Sequence, residues 1–222
     1  MLQKLPYTVN ALLLDKAQSS IPSVESKLTI NQPTGNFFYD PWEIKEEFKG
    51  TVWETLLNTL PLDIGEARII VLGNGTTYMS HTDIDDRYHL SLKGQYSFLI
   101  NVDDEKMYPT VADGQWYEMN TGLRHVAANF GSYDRAQLVV RKLLNNPTLE
   151  NYTTVTIKPI CENPRFEFDD LISPLLNKIN KQQLINDFSI LQDGVSFNLN
   201  INAINELDSI DRNKFNIQLC ET

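Results

Sequence analysis

The chain has 222 residues, enough for one domain with appendages or two small ones, and at that length roughly 70% of the surface an unfolded chain exposes can be buried. Its 19 basic against 29 acidic residues give a formal charge of -10, which repels phosphate backbones and anionic membrane faces, so no nucleic acid is expected as a partner. Hydrophobic residues at 41% and aromatic residues at 10% are those of a folded globular protein, and disorder is not expected.

Residues 1–66 read as helical and strand support for a β-rich core that begins at Ala67. The only apolar run near the start, Ala11 to Leu14, is too brief for a signal-peptide core or a membrane span, so a cytoplasmic protein with no membrane association is expected. A polar loop carrying Pro22 and Pro33 comes next. Then Trp42, Ile44, Phe48, Val52, Trp53, Leu56 and Leu57 recur at spacings near three and four, which predicts one or two helices ending at Pro61.

From Ala67 to Leu144 the texture changes to short β-type runs. Eight are legible, at 68–73, 77–83, 87–92, 96–102, 106–111, 115–120, 125–130 and 136–144. The turns between them carry the Gly, Asn and Asp residues that tight hairpins need. Eight short strands are the complement of a double-sheet barrel. The expected fold is therefore mainly β with flanking helices, built on a double-stranded β-helix of the jelly-roll or cupin kind over 67–158. A further strand is expected at "YTTVTIKP" and helical stretches from "FDDLISPLL" onward, making 159–222 a mostly helical cover or oligomer contact. The two cysteines, Cys161 and Cys220, form no CxxC pair and are read as reduced and structural.

All three histidines fall between positions 81 and 125, two of them in "SHTDIDDRYHL". On a strand, His81 and Asp83 would project to the same side and could grip one ion, while Thr82 points away. His125, from a distant strand, would complete two imidazoles and one carboxylate on one face of a metal, the facial triad of non-haem Fe(II) oxygenases. Arg135, ten residues past His125, can take a carboxylate in a bidentate grip and so anchor an acid co-substrate. By alternation Arg141 faces the same way and is its rival.

These residues resemble a family. HxD (His81, Asp83), then RxH (Arg87, His89), then His-x-x-x-Asn (His125, Asn129) and an arginine ten residues past that histidine are similar to the Fe(II)/2-oxoglutarate-dependent oxygenases. Within them the pattern is most similar to the aspartyl/asparaginyl β-hydroxylase branch that includes the bacterial proline hydroxylases. The resemblance covers about 67–144. It implies Fe(II) held by His81, Asp83 and His125, with 2-oxoglutarate and O2 as co-substrates and Arg135 on the distal 2-oxoglutarate carboxylate. It also implies His89 near 2-oxoglutarate and Arg87 near a substrate carboxylate. The aspartyl β-hydroxylases proper lack the carboxylate ligand, so Asp83 draws this chain toward the proline-hydroxylase side.

Blander readings stand beside these. Asp85 and Asp86 read as turn builders, Asn129 as a backbone fixer, and Trp116 and Tyr117 as core. A cupin-type isomerase or metal-binding protein would use the same three ligands without needing Arg135, and a non-catalytic domain would tolerate loss of a ligand. A small-molecule or peptide substrate is expected, and its identity is not legible.

Overall fold

A computed structural model describes residues 2–21, 27–160 and 168–220. Pro22 and Cys161, and the turn and thiol expected of them, lie outside the described residues. Contacts divide the chain into two units: residues up to 80 together with Asp85–Leu143, and residues from Leu144 onward together with the four residues His81–Ile84.

In the first unit, β1 (Leu2–Thr8), helix α1 (Ala11–Ser19), β2 (Lys27–Thr29), the hairpin β3 (Asn31–Pro33) and β4 (Trp42–Ile44), a 3-10 turn at Glu46–Phe48 and helix α2 (Val52–Leu57) precede the barrel. Asn10 caps α1 by accepting from the Leu13 amide at 2.9 Å, the usual way for a short polar side chain to satisfy an orphan donor. The apolar spacing at 42–57 thus resolves into a strand, a 3-10 turn and one six-residue helix. Gly50 breaks the run, with a φ of 70° that a glycine adopts without strain, and Thr51 restarts it as the N-cap of α2.

Eight strands make up the barrel: β5 (Ile64–Leu72), β6 (Thr76–Thr77), β7 (Arg87–Lys93), β8 (Ser97–Asn101), β9 (Lys106–Pro109), β10 (Gln115–Met119), β11 (His125–Asn129) and β12 (Arg135–Lys142). They sort into two antiparallel sheets. One runs β1-β10-β7-β12-β5-β2 and the other β6-β11-β8-β9. Counted within this block of eight, strands one, eight, three and six share one sheet and two, seven, four and five the other, which is the connectivity of a double-stranded β-helix.

Alternation divides the larger sheet. Leu90, Leu92, Trp116, Leu138 and Val140 point outward into one core with Leu14 and Ala17 of α1 and Trp53, Leu56 and Leu57 of α2. Leu72, Leu99, Met119 and Ala127 meet in a second, smaller cluster, to which both sheets contribute, inside the barrel. Trp116 is fully buried, as a strand aromatic in a core should be. The inward set of β7 is then Arg87, His89 and Ser91, and that of β12 is Arg135, Gln137, Val139 and Arg141. Strand periodicity has thus placed a row of polar side chains in the interior.

The second unit is a sheet of its own, ordered β14-β15-β13-β16, from β13 (Tyr152–Pro159), β14 (Ile185–Leu191), β15 (Gly194–Asn200) and β16 (Phe215–Cys220), with helix α3 (Ser173–Lys181) and a 3-10 stretch at Ile201–Ser209. Two expectations are corrected here. The strand at 152–159 belongs to this sheet and not to the barrel, because its pairing partners are β15 and β16. The segment from Ile185 to Cys220 is largely strand, where a mostly helical cover was expected. Val195, Phe197 and Leu199 are buried while the residues between them are half-buried, a period of two that suits a sheet with one covered face. Cys220 is exposed, which removes the expected structural role for that thiol. Among the described residues no helix is long and apolar enough to cross a membrane.

Candidate metal centre

His125 opens β11 and is buried. Its Nδ1 lies 2.9 Å from the Leu123 carbonyl oxygen. A carbonyl only accepts, so Nδ1 carries the hydrogen and Nε2 of the neutral ring carries the lone pair, the nitrogen a metal would take.

His81 and Asp83 reach His125 by a route different from the one expected. The strand read at 77–83 is only Thr76–Thr77, paired to Asn129 and Ala128 of β11, with the Tyr78 amide donating to the Ala127 carbonyl at 2.9 Å. Continued along the same register, the chain would bring Ser80 opposite His125, one residue before His81. There it leaves the ladder: His81 makes a single bridge and Asp83 sits in irregular backbone. Residues 81–84 are tied at both ends to barrel residues, Ser80 and Asp85, so their place beside β11 is set by covalent anchorage. The ligand atoms of His81, Asp83 and His125 all lie within 4.8 Å of one another, with His81 Nε2 3.8 Å from Asp83 Oδ2. Two imidazoles and a carboxylate at such spacing suit a divalent transition metal.

Asn129, at the other end of β11, holds the turn into β12. Its amide nitrogen donates to the carbonyls of Leu72, Gly73 and Tyr133 at 3.1, 3.1 and 2.9 Å, and its oxygen accepts from the Gly131 amide at 3.1 Å. Gly131 is required at that turn, since a Cβ there would lie 2.0 Å from the Gln95 carbonyl oxygen. Arg135 begins the strand that this turn aims.

Arg135 is 3% exposed. It donates to Gln137 Oε1, and its Nε meets no hydrogen-bond partner. No carboxylate pairs with it among the described residues; burial lowers its pKa to about 10, opposed by Tyr78. A buried guanidinium without a counter-ion calls for an anion. His89 is buried beside it, with Nδ1 3.3 Å from the same Gln137 oxygen.

Arg141 is placed otherwise. It lies six residues from Arg135, about 20 Å along an extended strand, and it grips Asp85 bidentately, Nε to Oδ2 at 2.7 Å and NH2 to Oδ1 at 2.6 Å. Its guanidinium carbon also stands 4.7 Å and 5.1 Å from the ring centroids of Phe37 and Phe38. Arg87 donates to the same Asp85 carboxylate and to the Asp85 carbonyl. Asp85, read from sequence as a turn builder, is instead a 2% exposed anion between two arginines. Asp86 also departs from that reading, being buried and accepting from the Thr121 amide at 3.2 Å.

No family model matches the chain, and no curated protein matches it. Among solved structures it is similar to an oxidoreductase of the 2OG-Fe(II) oxygenase family from Burkholderia pseudomallei, with a TM-score of 0.45 and 15% identity over 63% of this chain and 82% of that one. It is also similar to CapF in complex with the inhibitor 3-isopropenyl-tropolone, with a TM-score of 0.32 and 16% identity over 59% of this chain and 35% of that one. The chain therefore spans about a third of CapF. With TM-scores this low neither likeness bears on activity, and function has to be argued from the residues.

Proposed function

We propose that the chain is an Fe(II)- and 2-oxoglutarate-dependent dioxygenase that hydroxylates an amino acid, a peptidyl side chain or a similar carboxylate-bearing small molecule. The observation that carries this reading is the gathering of His81, Asp83 and His125 within 4.8 Å at one barrel position. His81, Asp83 and His125 would hold the ion, and the Nδ1–H tautomer of His125 fits that role. Iron there, with 2-oxoglutarate and O2, supplies the oxidation of an unactivated C–H bond. The chain's own contribution is to bind and orient. Arg135, buried and without a carboxylate partner, would take the distal carboxylate of 2-oxoglutarate, and the apolar barrel wall of Leu72, Leu99, Met119 and Ala127 would exclude water.

The arginine separates this reading from a cupin-type metal-binding protein or isomerase. Such a protein gains nothing from a buried cation with no counter-ion, which carries a desolvation cost of several kcal/mol. The proline-hydroxylase-like branch remains the proposed relationship, with Arg87 on the substrate's carboxylate. In that role Arg87 would share its charge between Asp85 and the substrate.

The test is succinate formation. The full chain supplied with Fe(II), ascorbate, O2 and 2-oxoglutarate is expected to release succinate slowly, to stop when iron is omitted, and to accelerate with one or more members of a panel of amino acids and peptides. No succinate above the iron-free control with any member would contradict the proposal.

A further inference from the structure

The two inward arginines of β12 are balanced in different ways. Arg141 meets the carboxylate of Asp85. Arg135, the more deeply buried of the two, meets an amide: it donates to Oε1 of Gln137, two residues along the same face of the strand. A guanidinium only donates, so that atom is the carbonyl oxygen and the amide nitrogen is the other one; consistently, Gln137 Nε2 donates to Ser91 Oγ at 3.0 Å. His89 Nδ1 lies 3.3 Å from the same oxygen, so Nδ1 must bear the hydrogen. All four side chains are buried. Burial, then Arg135, hold the His89 ring neutral by pushing its pKa down to about 3, which leaves the guanidinium as the one charge in this network.

A carboxylate in place of the Gln137 amide would be fully satisfied. Arg135 and His89 already donate to Oε1, and Ser91, which accepts from Nε2, can turn its hydroxyl hydrogen toward a carboxylate oxygen instead. The substitution would also cancel a buried charge whose desolvation is costly. Glutamine and glutamate are nearly the same size and shape, so packing does not choose between them. Stability alone therefore favours glutamate where the chain has glutamine. A position that forgoes stability in this way is one where function sets the residue.

We propose that Gln137 is a positioning residue: it aims the Arg135 guanidinium while leaving its charge uncompensated, so that the carboxylate that pairs with it is one a ligand brings. The inference rests on the reading of that ligand as 2-oxoglutarate. Gln137 acts through the arginine, and His89 acts through Gln137, holding the amide oxygen from the other side. The same strand shows the alternative: Arg141, given a carboxylate of the barrel, has its charge already answered.

Gln137→Glu and Gln137→Met, made in the full chain, test it in two arms. The first is urea denaturation without added metal or oxoacid. Gln137→Glu is expected to unfold at a higher urea concentration than the unsubstituted chain, and Gln137→Met, which removes the acceptor and keeps the volume, at a lower one. The second arm titrates 2-oxoglutarate into the anaerobic chain loaded with Fe(II) and follows the visible charge-transfer absorption. The half-saturating concentration should rise about 30-fold in Gln137→Glu, whose carboxylate takes the guanidinium, and less in Gln137→Met, whose arginine keeps its charge for the ligand. Stability and affinity then move in opposite directions in one variant and fall together in the other, which a merely structural glutamine would not produce. A Gln137→Glu chain that is no more stable than the unsubstituted one or does not fold, a rise below about tenfold, or a larger rise in Gln137→Met would overturn the proposal. An unsubstituted chain that shows no absorption with Fe(II) and 2-oxoglutarate would instead contradict the proposed function, and the denaturation arm would then decide this inference alone.

Discussion

Arg135→Ala is expected to raise the 2-oxoglutarate concentration for half-maximal turnover about 30-fold, the loss of a charge-assisted bidentate contact worth on the order of 2 kcal/mol. Arg141→Met is expected to leave that requirement within about threefold, since its two hydrogen bonds already go to Asp85 and a spent donor adds little new affinity. Both arginines lie on the inward side of β12, so strand alternation cannot tell them apart. What distinguishes them is pairing. Arg135 is buried with Nε unpartnered, whereas Arg141 is bound by a carboxylate and stacked on Phe37 and Phe38. Iron affinity should change little in either variant, because neither residue is among the three that gather at His125. Should Arg141→Met prove the more impaired in 2-oxoglutarate requirement, the assignment of the anchor fails.

Asp85→Ala is expected to destabilise the barrel unit by about 3 kcal/mol, because it strands the buried Arg87 guanidinium and removes the partner of the half-buried Arg141. Asp85 is 2% exposed and binds Arg87 and Arg141 together. Arg141→Met should cost less: it keeps an apolar stem against Phe37 and Phe38 and leaves Asp85 balanced one-to-one by Arg87. Chemical denaturation followed by tryptophan fluorescence measures this cleanly, since Trp42, Trp53 and Trp116 all belong to the barrel unit. If Asp85→Ala cost less than Arg141→Met, the carboxylate would not be the group that makes the buried Arg87 tolerable.

Most of the barrel was legible because its strands announce themselves locally. Period-two alternation and Gly, Asn and Asp turns located seven of the eight strands of the block to within a few residues. The eighth, at 77–83, read as a strand because "TYMSHTD" carries β-type residues, yet pairing stops after Thr77. Beyond it Thr82 donates to the Asp169 carbonyl and not to a neighbouring strand. His81 and Asp83 thus converge through chain anchorage and not through the same-face rule that first suggested them.

Asp85 was illegible for a different reason. Its meaning depends on Arg141, 56 residues away, and an acidic run has no local mark that separates a solvated turn from a buried counter-ion. The hairpin of β14 and β15 is the opposite case. "ILQDGVSFNLN" contains a turn dipeptide followed by clean alternation, with Leu191 paired to Gly194. The signal was there, and the helical periodicity of the preceding "SPLLNKINK" was carried too far past it.

The central claim is that His81, Asp83 and His125 hold one iron, and the most direct measurement is the visible spectrum of the anaerobic chain with Fe(II) and 2-oxoglutarate. A weak charge-transfer absorption is expected to appear, to vanish in His81→Ala and in His125→Ala, and to weaken in Asp83→Ala, whose neutral side chain cannot offset the ion's charge. The same absorption in both histidine variants as in the unsubstituted chain would contradict it.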